Sequence, residues 1–299
     1  MTQTATGVLA IDIGGTKIAL AAISATGEWR AQDKFIIAGL AGEQIVAQLL
    51  AASQALQARA QLTFAAIGVS TIGVVDGDHL KLVPTIQGWD QVNLRASLQT
   101  VFPAVPVLIE NDVKSATYAE LLNGALKGTS AGLYLNLGTG IATGLTLGDQ
   151  VVRGSHGAAG EVGYWLLDAQ SSAGFATGHA PLEEATGGQG IGQQLTALVG
   201  HPYTAKDLWQ APTLSPALQQ FKDHLLTTWA VNLSNLCIAW DPAVVAVGGG
   251  MQAAYHQIAP VLTAKLAQSV PFPPVLKPAF YRQNASLNGI ALLALRTLQ

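Results

Sequence analysis

Charge is scarce in this chain. Of its 299 residues, 11% are Asp, Glu, Lys or Arg, and the formal net charge is −3. A balance that close to neutral gives no electrostatic footprint for nucleic acid. Cysteine is nearly absent. Cys237 stands alone, so no disulfide can form within the chain, and its setting in Leu236-Cys-Ile-Ala-Trp240 is that of a buried small hydrophobe. Hydrophobic residues reach 49%, yet no apolar run attains the roughly 18 residues needed to span a bilayer. The N-terminus has neither the basic region nor the long apolar stretch of a signal peptide. These absences predict a soluble cytoplasmic protein that engages neither membrane nor nucleic acid. Low-complexity segments and obvious linkers are missing too, and the length suits two modest domains.

What the chain does have is glycine, placed at the ends of apolar strands. Val8-Leu-Ala-Ile-Asp-Ile-Gly-Gly-Thr-Lys17 runs a strand into a Gly14-Gly15-Thr16 tip with a carboxylate, Asp12, just before it, and Ile18 to Ile23 is again strand-like. Glycine lets backbone N–H groups approach a phosphate closely, because no Cβ intervenes. A carboxylate beside such a tip can hold a hydrated Mg²⁺ that bridges phosphates. The alternative is a tight turn in a β-rich core with a chance Asp. Leu133 to Leu147 repeats the device around Gly138-Thr139-Gly140, and Val244 to Met251 ends a third strand in Gly248-Gly249-Gly250. Three such turns suggest one nucleotide held from several sides. No Gly-x-x-x-x-Gly-Lys-Ser/Thr occurs, and the first loop opens a hairpin and not a helix, which excludes a dinucleotide fingerprint.

Periodicity predicts strands at about 8–13, 16–23 and 28–36, then a helix over 42–60. A strand at 65–70, a hairpin over 74–83 around Asp76-Gly77, a helix at 93–101, a strand at 105–109 and a helix at 113–122 follow. In the second half the pattern predicts a hairpin over 133–147, helices over 183–198, 215–240 and 251–267, a strand at 275–280 and a last helix over 287–298. Glu110-Asn111-Asp112 falls where a strand gives way to a helix. Asn and Asp are favoured helix caps, so position alone reads as a helix start.

Taken in order, Asp12-Ile-Gly-Gly-Thr-Lys17, Glu110-Asn-Asp112, Leu137-Gly-Thr-Gly-Ile141, Gly160-Glu-Val-Gly-Tyr164 and Gly248-Gly-Gly250 resemble the ROK family of sugar kinases and repressors over essentially the whole chain. The resemblance implies an α/β fold of the actin-like, ribonuclease-H-like kind, two-lobed, with the active site in the cleft. It implies an N-terminal lobe over 1–118, with the C-terminal helix of 287–299 packed on it, and a C-terminal lobe over 119–286. It further implies that Asp112 accepts the proton of the attacking sugar hydroxyl. Gly73, Asn111, Asp112, Glu161, Tyr164 and Glu183 are implied to contact the sugar, with Glu184 the one-residue alternative to Glu183. Asp12, Gly14, Gly15, Thr16, Lys17, Gly138, Thr139, Gly140, Gly248, Gly249 and Gly250 are implied to hold the nucleotide, with Mg²⁺ near Asp12. Members of the family often form dimers.

Departures from the family pattern carry information. Ile72 replaces the usual proline before Gly73, and Thr85 stands where many members place an asparagine. Ser70-Thr71 resembles kinases of N-acetylmannosamine, with Thr71 expected to offer a hydroxyl and Thr85 to leave space beside the ring. Ala142 and Thr143 replace two glycines, which places them in the returning strand, since Ala at positive φ is strained. Many members hold a structural zinc through a histidine and three cysteines. Here Tyr164 replaces the histidine, Ser171 to Ala180 has no cysteine, and the histidines at 79, 156, 179, 201, 224 and 256 show no paired-ligand spacing. The resemblance is therefore to the zinc-free branch, linked to N-acetylmannosamine, β-glucosides or glucose.

The leading expectation is a kinase using ATP and Mg²⁺ to phosphorylate the 6-hydroxyl of a hexose or N-acylhexosamine, with N-acetylmannosamine favoured over glucose and β-glucosides. A sugar-sensing member without kinase activity is the alternative of another class. A repressor would carry a helix-turn-helix ahead of Asp12, for which the sequence leaves no room. An actin-like assembling ATPase would not need the Asn-Asp pair and two glutamates.

Overall fold

The computed structural model describes residues 5–83, 85–169 and 172–299. These divide into two compact units by their internal contacts, one running to Ala119 and adding Arg153–Ala159 and Asn284–Gln299, the other comprising Glu120–Val152 and Gly160–Gln283.

The first unit begins with three antiparallel strands, β1 (Ala5–Ile13), β2 (Lys17–Ser24) and β3 (Trp29–Ile36). Helix α1 (Gly42–Ala60) returns the chain to β4 (Leu62–Thr71), which pairs parallel to β1. The small hairpin β5 (Val74–Asp76) and β6 (His79–Lys81) precedes α2 (Leu94–Val101), which Asn93 caps by accepting the Ala96 N–H at 2.9 Å. Strand β7 (Val107–Asn111) then pairs parallel to β4 and runs directly into α3 (Asp112–Asn123). The sheet order is β3-β2-β1-β4-β7. Alternation along β1 explains the two-sided core. Leu9, Ile11 and Ile13 pack with α1 and α2, while Val8 and Ala10 face the other way.

The second unit repeats the design. Strands β8 (Ala131–Leu137), β9 (Ile141–Leu147) and β10 (Gln150–Val151) are antiparallel. Helices α4 (Pro181–Thr186), α5 (Gly188–Val199), α6 (Ala205–Gln210) and α7 (Pro216–Trp240) intervene before β11 (Val244–Gly248), and α8 (Tyr255–Ser269) before β12 (Val275–Pro278). The order β10-β9-β8-β11-β12 matches the first sheet strand for strand. Pro278 is tolerated because β12 is an edge. Leu225, Trp229 and Leu233 of α7 supply the core under β8 and β11, with Trp229 stacked on Trp209 at 6.0 Å between centroids. The last helix, α9 (Ala285–Arg296), lies in the first unit, where Leu287, Ile290, Ala291 and Ala294 cover Val8, Ala10 and Ala66. Among the described residues no helix is long and apolar enough to cross a membrane.

Two features of the second unit depart from the sequence pattern. The helix expected over 183–198 is broken at Gly187, which is extended at φ −73° and ψ 153°. Its N–H bonds back to Glu183 O at 2.7 Å, and the next two amides turn outward to another loop. Helix α6 was not expected from periodicity. Its Thr204-x-x-Asp207 capping box, with Thr204 N–H donating to Asp207 Oδ2 at 2.8 Å, is the signal that marks it. Ala142 and Thr143 do lie in the returning strand β9.

Candidate functional site

In the first unit the three parallel strands end level. Asp12 of β1 is in register with Ser70 of β4, and Ser70 with Glu110 of β7. Carboxyl ends of parallel strands are where open α/β sheets bind ligands, because the loops leave there. Asp12 is half-buried. Burial pushes its carboxyl above the ordinary range, while Ser286, Ser70 and the Lys17 charge pull it back. A divalent cation beside it would favour the ionised form, so the group suits Mg²⁺. At the tip, Gly14 N–H donates to Lys17 O at 3.0 Å. Thr16 and Lys17 are exposed. Neither Gly14 nor Gly15 takes a positive φ. A Cβ on Gly14 would come no closer than 3.4 Å to its surroundings, and one on Gly15 no closer than 3.5 Å, to Thr85. The fold itself does not demand glycine at this tip.

Asp112 opens α3, where the helix dipole favours an ionised carboxylate. Its Oδ1 accepts from Val113 N–H at 2.9 Å and from Asn111 Nδ2 at 3.1 Å. Asn111 Nδ2 also donates to Gly73 O at 2.8 Å, and Asn111 Oδ1 accepts from Lys114 N–H at 3.0 Å. Both amide hydrogens of Asn111 are thus engaged by the protein, which leaves one lone pair on Oδ1 for anything else. Gly73 takes φ +85° beside it. Behind this pair stands Glu110, 5% exposed. Its Oε1 accepts from Asn111 N–H at 2.9 Å, and its Oε2 lies 3.4 Å from the Arg153 guanidinium. Burial raises its carboxyl, and Arg153, the Asn111 amide and Lys114 oppose that.

In the second unit the glycine loop is held tightly. Gly138 N–H donates to Gly140 O at 3.1 Å, which closes the turn. From α5, Gly188 N–H donates to Gly138 O at 3.0 Å and Gln189 N–H to Thr139 O at 2.9 Å. Ile141 N–H donates to Glu183 Oε2 at 3.1 Å. A Cβ on Gly140 would collide with that same carboxylate. Gly249 sits at φ +81°, and a Cβ there would strike the backbone of Leu137. Gly248 ends β11 against Tyr134, and nothing lies within 4 Å of where a Gly250 Cβ would stand. The carboxyl ends of β8 and β11 therefore present a close, glycine-lined cradle that suits phosphate, with the Glu183 carboxylate at its Gly140 edge.

Glu161 is half-buried and precedes a 3₁₀ turn, Val162–Tyr164. The Tyr164 phenol is pushed up by burial and by the charges of Glu161 and Glu183. It stays protonated near neutral pH, a donor facing two carboxylates. Its ring meets Phe175 edge-on at 5.7 Å. Glu184 is engaged by its own helix start: Ala180 N–H donates to Oε1 at 3.0 Å, and His179 Nδ1 lies 3.0 Å from that oxygen. Those contacts hold its carboxyl below the ordinary range. Among the described residues no group of three or more His, Cys, Asp or Glu is arranged to hold a metal ion. Residues 170 and 171, at the start of the cysteine-free stretch, lie outside the described residues.

One sequence expectation is corrected. Thr71 offers no hydroxyl to a ligand: it is fully buried, accepts the Trp89 Nε1–H at 3.1 Å and donates its own proton to Ile72 O at 3.4 Å. Sequence reasoning also missed two residues. Glu110 was quoted only as part of a motif, and Arg153 not at all. A charge next to an apolar strand end was the available signal for Glu110; nothing local marks Arg153.

The sequence model of the ROK family matches residues 8–297. An N-acetylmannosamine kinase of Escherichia coli O139:H28 is 29% identical over 290 residues, covering 96% of this chain and 97% of its own. A β-glucoside kinase of Listeria monocytogenes serovar 1/2a is 28% identical over 250 residues, 82% of each. Among solved structures, a ROK hexokinase from Thermus thermophilus superposes with a TM-score of 0.81 at 28% identity, covering 98% of this chain and 99% of that one. The fold is the actin-like α/β fold of ROK sugar kinases. With two glycine cradles, an Asn-Asp strand end and a match across nearly its whole length, the chain belongs to the ROK family.

Proposed function

We propose that this protein is a cytoplasmic, homodimeric kinase that transfers the γ-phosphoryl group of ATP to the 6-hydroxyl of a hexose or N-acylhexosamine, N-acetylmannosamine being the favoured acceptor. The observation that carries the proposal is the Asn111-Asp112 pair. A carboxylate at a helix start is fixed by two hydrogen bonds, 2.9 and 3.1 Å, at the carboxyl end of a parallel strand. Phosphoryl transfer is mostly positioning and charge neutralisation, with late proton loss from the nucleophile. A rigidly held carboxylate at Asp112 is sufficient to take that proton.

Asn111 orients Asp112 and ties it to Gly73, with its remaining lone pair open to a sugar hydroxyl. Glu161, Tyr164 and Glu183 supply two carboxylate acceptors and one phenol donor, a set matched to the hydroxyls of a sugar ring. Asp12 would hold Mg²⁺ through water, and the ion's chemistry is to neutralise phosphate charge. Gly14, Gly15, Thr16 and Lys17 bind phosphate at one loop, and Gly138 to Gly140 with Gly248 to Gly250 at the others. The relatives named for N-acetylmannosamine and β-glucosides support the acceptor class, and glucose or a β-glucoside is the runner-up.

The test is sugar-dependent ADP release from ATP and Mg²⁺ over a panel of free sugars. Turnover with at least one hexose or N-acylhexosamine is expected, and none with any of them refutes the kinase. Elemental analysis of the same preparation is expected to find no stoichiometric zinc. One tightly held zinc per chain would overturn the zinc-free assignment.

A further inference from the structure

We infer that Glu183 is a positioning residue that transmits occupancy of the sugar site to the phosphate loop at 138–140. The inference rests on the sugar-kinase reading and deepens it. Glu183 lies in the first turn of α4. Its carboxylate has two oxygens with different surroundings. Oε2 accepts the Ile141 N–H at 3.1 Å, at the first residue of β9 after the loop. Among the described residues no hydrogen bond to Oε1 is made, and the side chain is exposed. The contact with the loop is close as well as polar, since the carboxylate fills the space a Cβ on Gly140 would need.

The same corner is tied to the loop by its backbone. Gly187 N–H donates to Glu183 O at 2.7 Å, and a Cβ on Gly187 would come within 3.1 Å of the Gly140 Cα. The next two amides, Gly188 and Gln189, hold Gly138 O and Thr139 O at 3.0 and 2.9 Å. Every residue of the loop is therefore bonded to or packed against the α4–α5 corner. Glu183 is the point in that corner with an oxygen left over. A sugar hydroxyl donating to Oε1 fixes the rotation of the carboxylate, and with it Oε2 and the Ile141 amide. The loop then meets the nucleotide phosphates already ordered, and a pre-ordered loop binds them more tightly. Such coupling is reciprocal, so nucleotide must tighten sugar binding by the same factor.

The experiment is calorimetric binding of Mg·AMPPNP with and without saturating sugar, using whichever of N-acetylmannosamine and glucose the enzyme turns over faster. In the wild type the sugar is expected to lower the analogue's Kd by at least about fivefold, within the usual range of coupling between sites. In Glu183→Ala that factor is expected to fall below about twofold. Glu183→Gln, which keeps an acceptor for the Ile141 amide, retains more of the coupling than Ala. Gly140→Ala is the decisive variant. It lies in the phosphate loop, yet its Cβ displaces the carboxylate, so it is expected to weaken sugar binding by about tenfold and to abolish coupling. Wild-type coupling below twofold, full coupling in Glu183→Ala, or unchanged sugar affinity in Gly140→Ala each overturns the inference while leaving a working kinase. No turnover with any sugar overturns the kinase itself, and the two failures are told apart by wild-type activity.

Discussion

The two units share a strand order but differ at the ends of their parallel strands. The first carries charge there: Asp12, Glu110, Asp112 and Lys114, with Arg153 set against Glu110. The second carries glycine: Gly138 and Gly140 after β8, and Gly248 to Gly250 after β11. Their glycine turns differ in the same sense. A Cβ would be accommodated at Gly14 and Gly15, whereas Gly140 and Gly249 are glycine because carboxylate or backbone occupies the space. One architecture thus provides two kinds of surface. The charged ends suit a proton acceptor and a metal-bound phosphate; the glycine ends suit close approach of a phosphate to the backbone.

The strongest way to break this division is to neutralise the charged half at its proposed centre. Asp112→Asn is expected to lower kcat by at least about 10³-fold, equivalent to about 4 kcal/mol, because the loss falls on the transition state. Sugar affinity by calorimetry is expected to survive largely intact. A kcat within tenfold of wild type would remove Asp112 from the role of base.

The contrast between the tips is sharpened by paired substitutions. Gly249→Ala forces a side chain into φ +81° and against the Leu137 backbone, so it is expected to cost at least about 2 kcal/mol of stability and to lower Tm by roughly 4 °C or more. Gly14→Ala meets no such obstacle, so its Tm is expected to stay within about 1 °C of wild type while its KM for ATP rises about tenfold. Equal melting shifts in the two variants, or an unchanged KM in Gly14→Ala, would erase the distinction.

Arg153 probes how the charged half is held in place. Burial places Glu110 above the ordinary carboxylate range, and Arg153 is the first of the groups opposing that shift. A raised folded-state pKa means the charged form is disfavoured in the fold. The charge is lost as pH falls through the raised value. Without Arg153 that value moves higher still. Arg153→Met is therefore expected to move the acid limb of kcat/KM to higher pH and to lower its plateau by roughly twentyfold, about 1.8 kcal/mol, as Glu110 releases the Asn111 amide. The other charged group acting on Glu110 is Lys114. Arg153→Lys, which keeps the charge, is expected to restore the limb. An unchanged profile in Arg153→Met would reduce the ion pair to surface decoration.

The sequence revealed the glycine turns of this comparison more fully than its charged strand ends. Strand-to-glycine turns marked β1, β8 and β11 because glycine after an apolar run is a local signal. The periodic face of α1 was equally local. The break between α4 and α5 was not legible, since it is imposed by hydrogen bonds from Gly188 and Gln189 to a loop some fifty residues away in sequence. Thr71 misled for the same reason: its hydroxyl is taken by Trp89, eighteen residues on. Arg153 was invisible because its partner, Glu110, is distant in sequence and brought near only by the fold.

The smallest effect concerns which sugar is taken. With Thr71 withdrawn, the residues proposed to set the preference are Thr85, Glu161, Tyr164 and Glu183. Thr85 is exposed beside Gly15 and is shorter than asparagine, and the proposal assigns it the space for a bulkier ring substituent. Tyr164, kept protonated by burial and by its two acidic neighbours, offers a hydroxyl donor where a histidine would offer a ring nitrogen. A polar site that loses one partner discriminates sharply, because a buried group is then left unpaired. We expect kcat/KM for N-acetylmannosamine to exceed that for glucose by about tenfold or more, equivalent to about 1.4 kcal/mol. Tyr164→Phe is expected to narrow the ratio, since the donor is lost while the edge contact with Phe175 is kept. Equal or better turnover of glucose or a β-glucoside would move the acceptor assignment to the runner-up. A ratio unchanged in Tyr164→Phe would place the choice of sugar in the first unit, with Thr85.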